Sequence, residues 1–314
     1  MLGQLRIMTD GKLQDKVSIA IQRLQSFEPS EGYYVAFSGG KDSQCVYHLC
    51  VMAGVKFDAH YSITSVDPPE LVKFIKQNYP EVKFERQHYD DGKPVTMWSL
   101  IRNNTMPPTR QVRYCCERLK EPGGKGRIVV TGVRWKESAN RANTHGVVDF
   151  QGKQKTTLRK AQEMNTEFKI NKHGNVIMND DNDENRRMVE TCYRTQKTMV
   201  NPIVDWDDQE VWEFLNSNNI PHCCLYDEGF KRLGCIGCPL AGTESMKRGF
   251  ERWPKYKNLY IRAFQRMADN RGDEIRLFDA SRNGTYADVP KEKRGEAVYD
   301  WWVNWDSKNA IGSE

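Results

Sequence analysis

The sequence predicts an α/β fold: a parallel sheet with helices on both faces, a polar insertion, and a helical C-terminal region. Three observations predict it. Short apolar runs of strand type alternate with helical segments from about residue 33 to 133. One strand-to-helix junction is a glycine loop, and two further stretches, one polar and one aromatic-rich, fall outside the alternation. At 314 residues the chain suits one large domain or two small ones, and its 38% hydrophobic content, spread throughout, is enough to bury a core. No apolar run approaches the ~20 residues of a membrane span. The start, MLGQLRIMTDGKLQDK, lacks the pattern of a secretory signal. A cytoplasmic chain with no membrane partner is expected. The net charge of +5 permits nucleic-acid binding without requiring it. In a reducing compartment the nine cysteines read as thiols or metal ligands rather than disulfides.

Residues 13–27 place Val17, Ile21 and Leu24 at helical spacing, and Pro29 through Gly32 break the pattern. Tyr33–Phe37 reads as a strand, followed by Ser38-Gly39-Gly40-Lys41-Asp42-Ser43 and an apolar helix over Cys45–Ala53. Further strands fit 57–63, 82–87 and 128–133, with a helix over 70–78 behind Pro68-Pro69. Residues 146–198 are very polar, with a turn at Lys172–Asn175 and an acidic stretch at Asn179–Glu184; an inserted hairpin and an ordinary long loop are both open readings. A helix resumes at Asp208, capped by Asp205 or Asp207. Beyond about 251 the chain is helical, and Trp253, Tyr256, Tyr260, Trp301, Trp302 and Trp305 read as core rather than as a binding platform. The expected domains are a helix over 1–28, a nucleotide-binding domain over 29–240 with its insertion, and an aromatic-rich region over 241–314.

Two groups of residues carry chemistry. In the hexapeptide, Gly39 and Gly40 let backbone N–H groups approach an anion, and the following helix aims its positive end there. Lys41 adds a charge, Ser38 and Ser43 add hydroxyl donors, and Asp42 offers oxygen to Mg²⁺. The spacing is not that of a Walker loop. The second group is Cys115-Cys116 with Cys235-Ile-Gly-Cys238, four thiols suited to a [4Fe–4S] cluster or to zinc. Side chains of adjacent cysteines diverge, which favours a cluster whose irons are separated in space; zinc is the alternative. Arg134, Lys136 and Arg141 follow a strand and suit anion contacts at the sheet edge, against the plain reading of solvated surface charge. Cys45 and Cys50 read as core. Cys223-Cys224, and more weakly Cys192, are open to a sulfur-relay reading or to plain packing.

The hexapeptide resembles the S-G-G-x-D-S loop of the ATP pyrophosphatase (PP-loop) superfamily. The C-C-x-x-L-K and G-C-x-x-C-P segments resemble the phosphoadenosine phosphosulfate (PAPS) reductase family. So do Thr131-Gly-Val-Arg-Trp-Lys-Glu-Ser-Ala-Asn-Arg141, Asn201-Pro-Ile-Val-Asp-Trp206, Leu225-Tyr226-Asp227 and Val66-Asp67-Pro68. The resemblance covers about residues 29–240. It implies a Rossmann-like, adenine nucleotide alpha-hydrolase-like fold and an adenine nucleotide, ATP or a relative, with Mg²⁺. Nucleotide contacts are implied at Ser38, Gly39, Gly40, Lys41, Asp42, Ser43, Asp67, Gly132, Arg134, Lys136 and Arg141. Catalytic roles fall to Lys41, Asp42 and Arg134, and Cys115, Cys116, Cys235 and Cys238 become cluster ligands.

Reductases of the family attack with a cysteine near the C-terminus, whereas the last cysteine here is Cys238. They also generally carry degraded glycine loops, whereas this one is intact. Both departures favour ATP consumption, as in DndC-like sulfur-transfer proteins of DNA phosphorothioation and some tRNA thiolases. The expected activity is ATP-dependent sulfur transfer, with a sulfur donor such as a cysteine desulfurase and a nucleic-acid substrate as candidate partners. A PAPS or adenylylsulfate reductase using an external thiol is one alternative. A non-catalytic nucleotide- and nucleic-acid-binding scaffold with a structural metal is another.

Overall fold

The computed structural model describes residues 6–9, 12–151, 158–159, 162–163, 167–179, 189, 197–271 and 289–304. Cys192, most of the acidic stretch 179–184, and Trp305 lie outside the described residues. Contacts divide the chain into two compact units that interleave in sequence. The first holds residues 1–61, 70–84 and 123–233; the second holds 62–69, 85–122 and 234–314.

The first unit opens with an antiparallel hairpin, β1 (Arg6–Thr9) and β2 (Lys12–Asp15), where a helix was expected from residue 13. Helix α1 (Lys16–Ser26) starts only at Lys16, because the Asp15 carboxylate accepts the Val17 N–H and caps it there. Then come β3 (Tyr33–Ala36), α2 (Lys41–Ala53), β4 (Phe57–Ser62), α3 (Pro69–Asn78) and β5 (Lys83–Glu85). After α4 (Met97–Asn103) and α5 (Tyr114–Leu119) of the second unit follow β6 (Ile128–Val130), α6 (Ala139–Thr144), β7 (Val148–Gln151), β8 (Lys169–Ile170), β9 (Val176–Met178), β10 (Lys197–Val200) and α7 (Asp208–Ser217). Asp207, one of the two expected caps, accepts the Glu210 N–H at the start of α7.

Eight strands form one sheet in the order β5-β4-β3-β6-β10-β7-β9-β8. The pairings β4–β3, β3–β6 and β6–β10 are parallel, giving the expected α/β core. The insertion makes the sheet mixed. Its β7, β9 and β8 add on in antiparallel fashion beyond β10, and β8 and β9 form the hairpin around the Lys172–Asn175 turn. That turn closes through Gly174 N–H to the Asn171 carbonyl, with Gly174 at φ +79°.

This strand order fixes where a ligand can sit. The chain leaves β3 toward β4 on one side, while β6 lies on the other, so the order reverses between β3 and β6. Open α/β sheets bind ligands outside the carboxyl ends of the strands at such a switch point. The segment after β3 is the glycine hexapeptide, and the segment after β6 is Thr131–Arg134. Beneath them Tyr33, Val35, Phe37, Leu49 and Val130 are fully buried.

The second unit adds α8 (Thr243–Arg252), α9 (Pro254–Arg271) and α10 (Arg294–Asn304). Phe250, Tyr260, Phe264 and Trp302 interlock with ring centroids 4.9–6.0 Å apart. Trp302 Nε1 donates to the Pro108 carbonyl at 2.6 Å, and Tyr260 Oη donates to that of Ile236 at 3.0 Å. Trp253, Tyr260 and Trp302 are core, as their spacing suggested, whereas Tyr256 and Trp301 are only half-buried at its margin. No described helix is long and apolar enough to cross a membrane.

Candidate functional site

The hexapeptide turns sharply because Gly39 adopts φ +73°, where a Cβ would lie 2.7 Å from Ile75. Gly40 caps α2 without a side-chain bond to the first turn. The two serines brace the loop internally. Ser43 Oγ donates to the Gly40 carbonyl at 2.8 Å and accepts from Ser38 N at 3.2 Å, and the two hydroxyls meet at 3.1 Å. The same two hydroxyls that the sequence offers as ligand donors thus also shape the turn.

Lys41 and Arg134 are both buried, at 4% and 2% exposure. Buried cations need partners, and two carboxylates supply them. Arg134 Nε donates to Asp42 Oδ1 at 2.6 Å and Nη2 to Asp208 Oδ1 at 2.8 Å, while Nη1 reaches the Trp206 carbonyl at 3.3 Å. Lys41 Nζ lies 3.0 Å from Asp208 Oδ1 and 3.3 Å from Asp42 Oδ2. Two cations and two carboxylates thus form a closed, neutral quartet. Burial works against ionised Asp208, but its contacts with Lys41 and Arg134 outweigh that and hold its carboxyl below the ordinary value. Gly132 lets the end of β6 approach: a Cβ there would sit 2.9 Å from the Asp42 carbonyl carbon.

Beside the quartet, Glu137 organises two arginines. Its carboxylate takes Arg141 Nη1 at 2.5 Å and lies 3.5 Å from Arg232 Nη2. Burial, with the like charges of Arg232 and Arg134, holds the Arg141 guanidinium below its usual value despite Glu137 and Asp42. Lys136 is exposed. Asp67 belongs to the second unit, and both its carboxylate oxygens are engaged by Thr64, at 2.8 Å from the amide and 2.7 Å from the hydroxyl. Of the residues expected to contact nucleotide, the first unit brings together Ser38–Ser43, Gly132, Arg134 and Arg141.

Three members of this neighbourhood carry no expectation from sequence: Asp208, Arg232 and Tyr226, whose hydroxyl accepts the Lys41 N–H at 2.9 Å. Each lies in a motif run quoted above or flanks one, but only the strand order brings it to the loop.

The four expected metal ligands all belong to the second unit. Cys115 and Cys116 are hydrogen-bonded to each other, and all four thiols act on one another electrostatically. The pair shares its charge unequally: Cys115 donates its proton and is pushed up, while Cys116, with Lys120 and Arg113 nearby, is pushed down toward thiolate. Cys235, then Cys116 and Cys238, hold the Lys120 ammonium above the ordinary lysine value. Cys235 Sγ is 3.5 Å from Thr64 Oγ1. Gly237 has φ +72°, and a Cβ there would stand 2.6 Å from Phe250. Among the described residues, no three His, Cys, Asp or Glu side chains converge closely enough to hold a metal ion. In the first unit, Cys45, Cys50 and Cys223 are buried, and burial pushes the Cys223 thiol up to about 11, whereas Cys224 is exposed.

The family model for the phosphoadenosine phosphosulfate reductase domain matches residues 32–241. The chain belongs to this family. Two uncharacterized proteins of Methanocaldococcus jannaschii are 26% and 25% identical over 72% and 85% of this chain, which spans 40% and 56% of their lengths. An adenosine 5'-phosphosulfate reductase of Staphylococcus haemolyticus is 23% identical over 63% of this chain and 64% of its own. The chain thus spans roughly half the length of the curated relatives it matches. A solved FMN adenylyltransferase of Candida glabrata overlaps 70% of the chain and 62% of its own at 14% identity and TM-score 0.43, a distant likeness that bears no argument.

Proposed function

We propose that this PAPS reductase family member is an ATP-dependent, adenylating sulfur-transfer enzyme, akin to DndC-like proteins. One observation supports this above the others: an undegraded Ser38–Ser43 loop at the sheet's switch point, with Lys41 and Arg134 buried behind it.

In this reading the triphosphate lies against the start of α2, where the helix dipole favours anions. The quartet is neutral at rest, so an incoming anion competes with Asp42 and Asp208 for Lys41 and Arg134. Released from their carboxylates, the two cations stabilise charge growing on the α-phosphate as pyrophosphate leaves. The carboxylates, themselves released, have the hard oxygen donors that Mg²⁺ accompanying ATP prefers. Glu137 keeps Arg141 and Arg232 turned together as a second pair of anion contacts. An acceptor oxygen attacks the α-phosphorus and pyrophosphate leaves; a sulfide-level sulfur then attacks the adenylated centre, and AMP departs carrying the acceptor's oxygen.

The donor set on the second unit fits a [4Fe–4S] cluster. It offers four thiols, with Lys120 and Arg113 near enough to offset negative charge on them. Each thiolate of a cubane binds a different iron, so the four sulfurs need not meet at one point as they would for zinc. Cys115, Cys116, Cys235 and Cys238 would hold it. When bound, such a cluster supplies a place to hold sulfur or pass electrons.

The test is AMP and pyrophosphate formation by anaerobically purified, iron-assayed protein with Mg²⁺. Formation that is lost in Lys41→Ala and Asp42→Ala is expected. Sulfite release from adenylylsulfate with a thiol, without ATP turnover, would replace the proposal by the reductase reading, toward which the staphylococcal relative points.

A further inference from the structure

We propose that Tyr226 is a phosphate-positioning residue: its hydroxyl, held by the Lys41 amide, donates its own proton to a nucleotide phosphate oxygen at the loop. The inference rests on the phosphate-loop reading above and adds a ligand contact to it.

The first amide of α2 needs an acceptor, and Gly40 supplies none from a side chain. Tyr226 Oη takes that place, accepting Lys41 N–H at 2.9 Å. The hydroxyl also overhangs the glycine: a Cβ on Gly40 would lie 3.4 Å from it. It therefore stands at the rim of the anion seat.

The ring is held from several sides. Trp212 meets it edge-on at 4.9 Å and 87°, and His222 lies 6.2 Å away. The backbone is fixed by Tyr226 N–H to the Cys223 carbonyl at 3.0 Å. Gln44, one turn into α2, ties the same segment to the helix through the Pro221 carbonyl at 2.7 Å. Such a group stays in place as a ligand arrives.

A phenol hydroxyl has one proton to give. With its oxygen engaged by Lys41, that proton has no acceptor among the described residues. Burial, aided by the nearby negative charges, pushes Tyr226 well above its ordinary value, so the proton is present at every physiological pH. Accepting from an amide at a helix N-terminus also polarises the O–H and strengthens it as a donor. Hydrogen bonds from such donors to charged phosphate oxygens are the strong kind.

Tyr226→Phe removes the oxygen and keeps the ring against Trp212. Calorimetric titration of the full chain with MgATP and, separately, with adenosine gives the test. The expected result is a roughly 10-fold weaker affinity for MgATP, the low end of what a hydrogen bond to a charged group contributes, with adenosine affinity unchanged. Unchanged or tighter MgATP binding by Tyr226→Phe would overturn the assignment, the tighter case making the hydroxyl a plug over the amide. Equal losses for ATP and adenosine would also overturn it, leaving a packing role alone. A wild-type chain that binds no ATP would overturn the loop reading and carry this assignment with it.

Discussion

The loop in the first unit and the thiol group in the second solve the same problem in opposite ways. Around the loop the costly groups are buried cations, Lys41 and Arg134, and Asp42 and Asp208 answer them at 2.6–3.3 Å. Around the thiols the costly groups are incipient anions, and Lys120 and Arg113 answer them. The first arrangement balances its charges internally, two cations against two carboxylates. The second sets four thiols within electrostatic reach of one another beside two cations. The comparison teaches that the two groups differ in the sign of the charge that burial makes costly and in which side chains answer it.

Removing Arg134 breaks the first arrangement most severely. Arg134→Ala leaves two carboxylates to share Lys41, and a loss of about 2–4 kcal/mol is expected, near the range for breaking a buried pair. Thermal or urea unfolding measures it, and a variant as stable as wild type would mean that the quartet does not contribute to the first unit's stability. Gly237→Ala strikes the second arrangement instead. It forces a side chain into left-handed backbone against the Phe250 ring, so a cost of about 2–3 kcal/mol is expected from strain and overpacking together. If instead its unfolding matches wild type, the aromatic box does not fix the cysteine turn.

The smallest effect concerns pH. The Asp208 carboxyl is held below its ordinary value in the folded chain, so its stabilising share is present above the unfolded value of about 4 and fades as pH falls through the folded one. Its side chain is 67% exposed, which limits that share to less than about 1 kcal/mol. Wild type should exceed Asp208→Asn in stability at neutral pH, and the gap should narrow as pH falls below the unfolded carboxyl value and through the lower folded one. A gap that widens on acidification would contradict the quartet.

What was legible in the sequence follows the reach of each interaction. The glycine hexapeptide is local: Gly39's left-handed turn and the start of α2 involve adjacent residues, so the motif alone located them. The Lys172–Asn175 turn was legible for the same reason. Helix α2 begins at Lys41 rather than Cys45, because Gly40 is its cap. Short α4 escaped notice because its capping box pairs Thr96 with Ser99 instead of the usual acidic or amide residue. The β1–β2 hairpin was hidden because Leu13 falls in phase with the helical pattern of α1. Asp208, Arg232 and Tyr226 were unreadable as site residues, since nothing short of the strand order places them at the loop. The antiparallel extension of the sheet was likewise beyond reach, because register across β10 and β7 is a long-range property.

The most direct test of the central claim, that the Ser38–Ser43 loop seats a nucleotide triphosphate, is equilibrium binding of MgATP to the full chain and to its Lys41→Ala variant. The account predicts saturable binding by the wild type and a loss of at least about 10-fold on removing the buried ammonium. Equal affinity in the two proteins would contradict it.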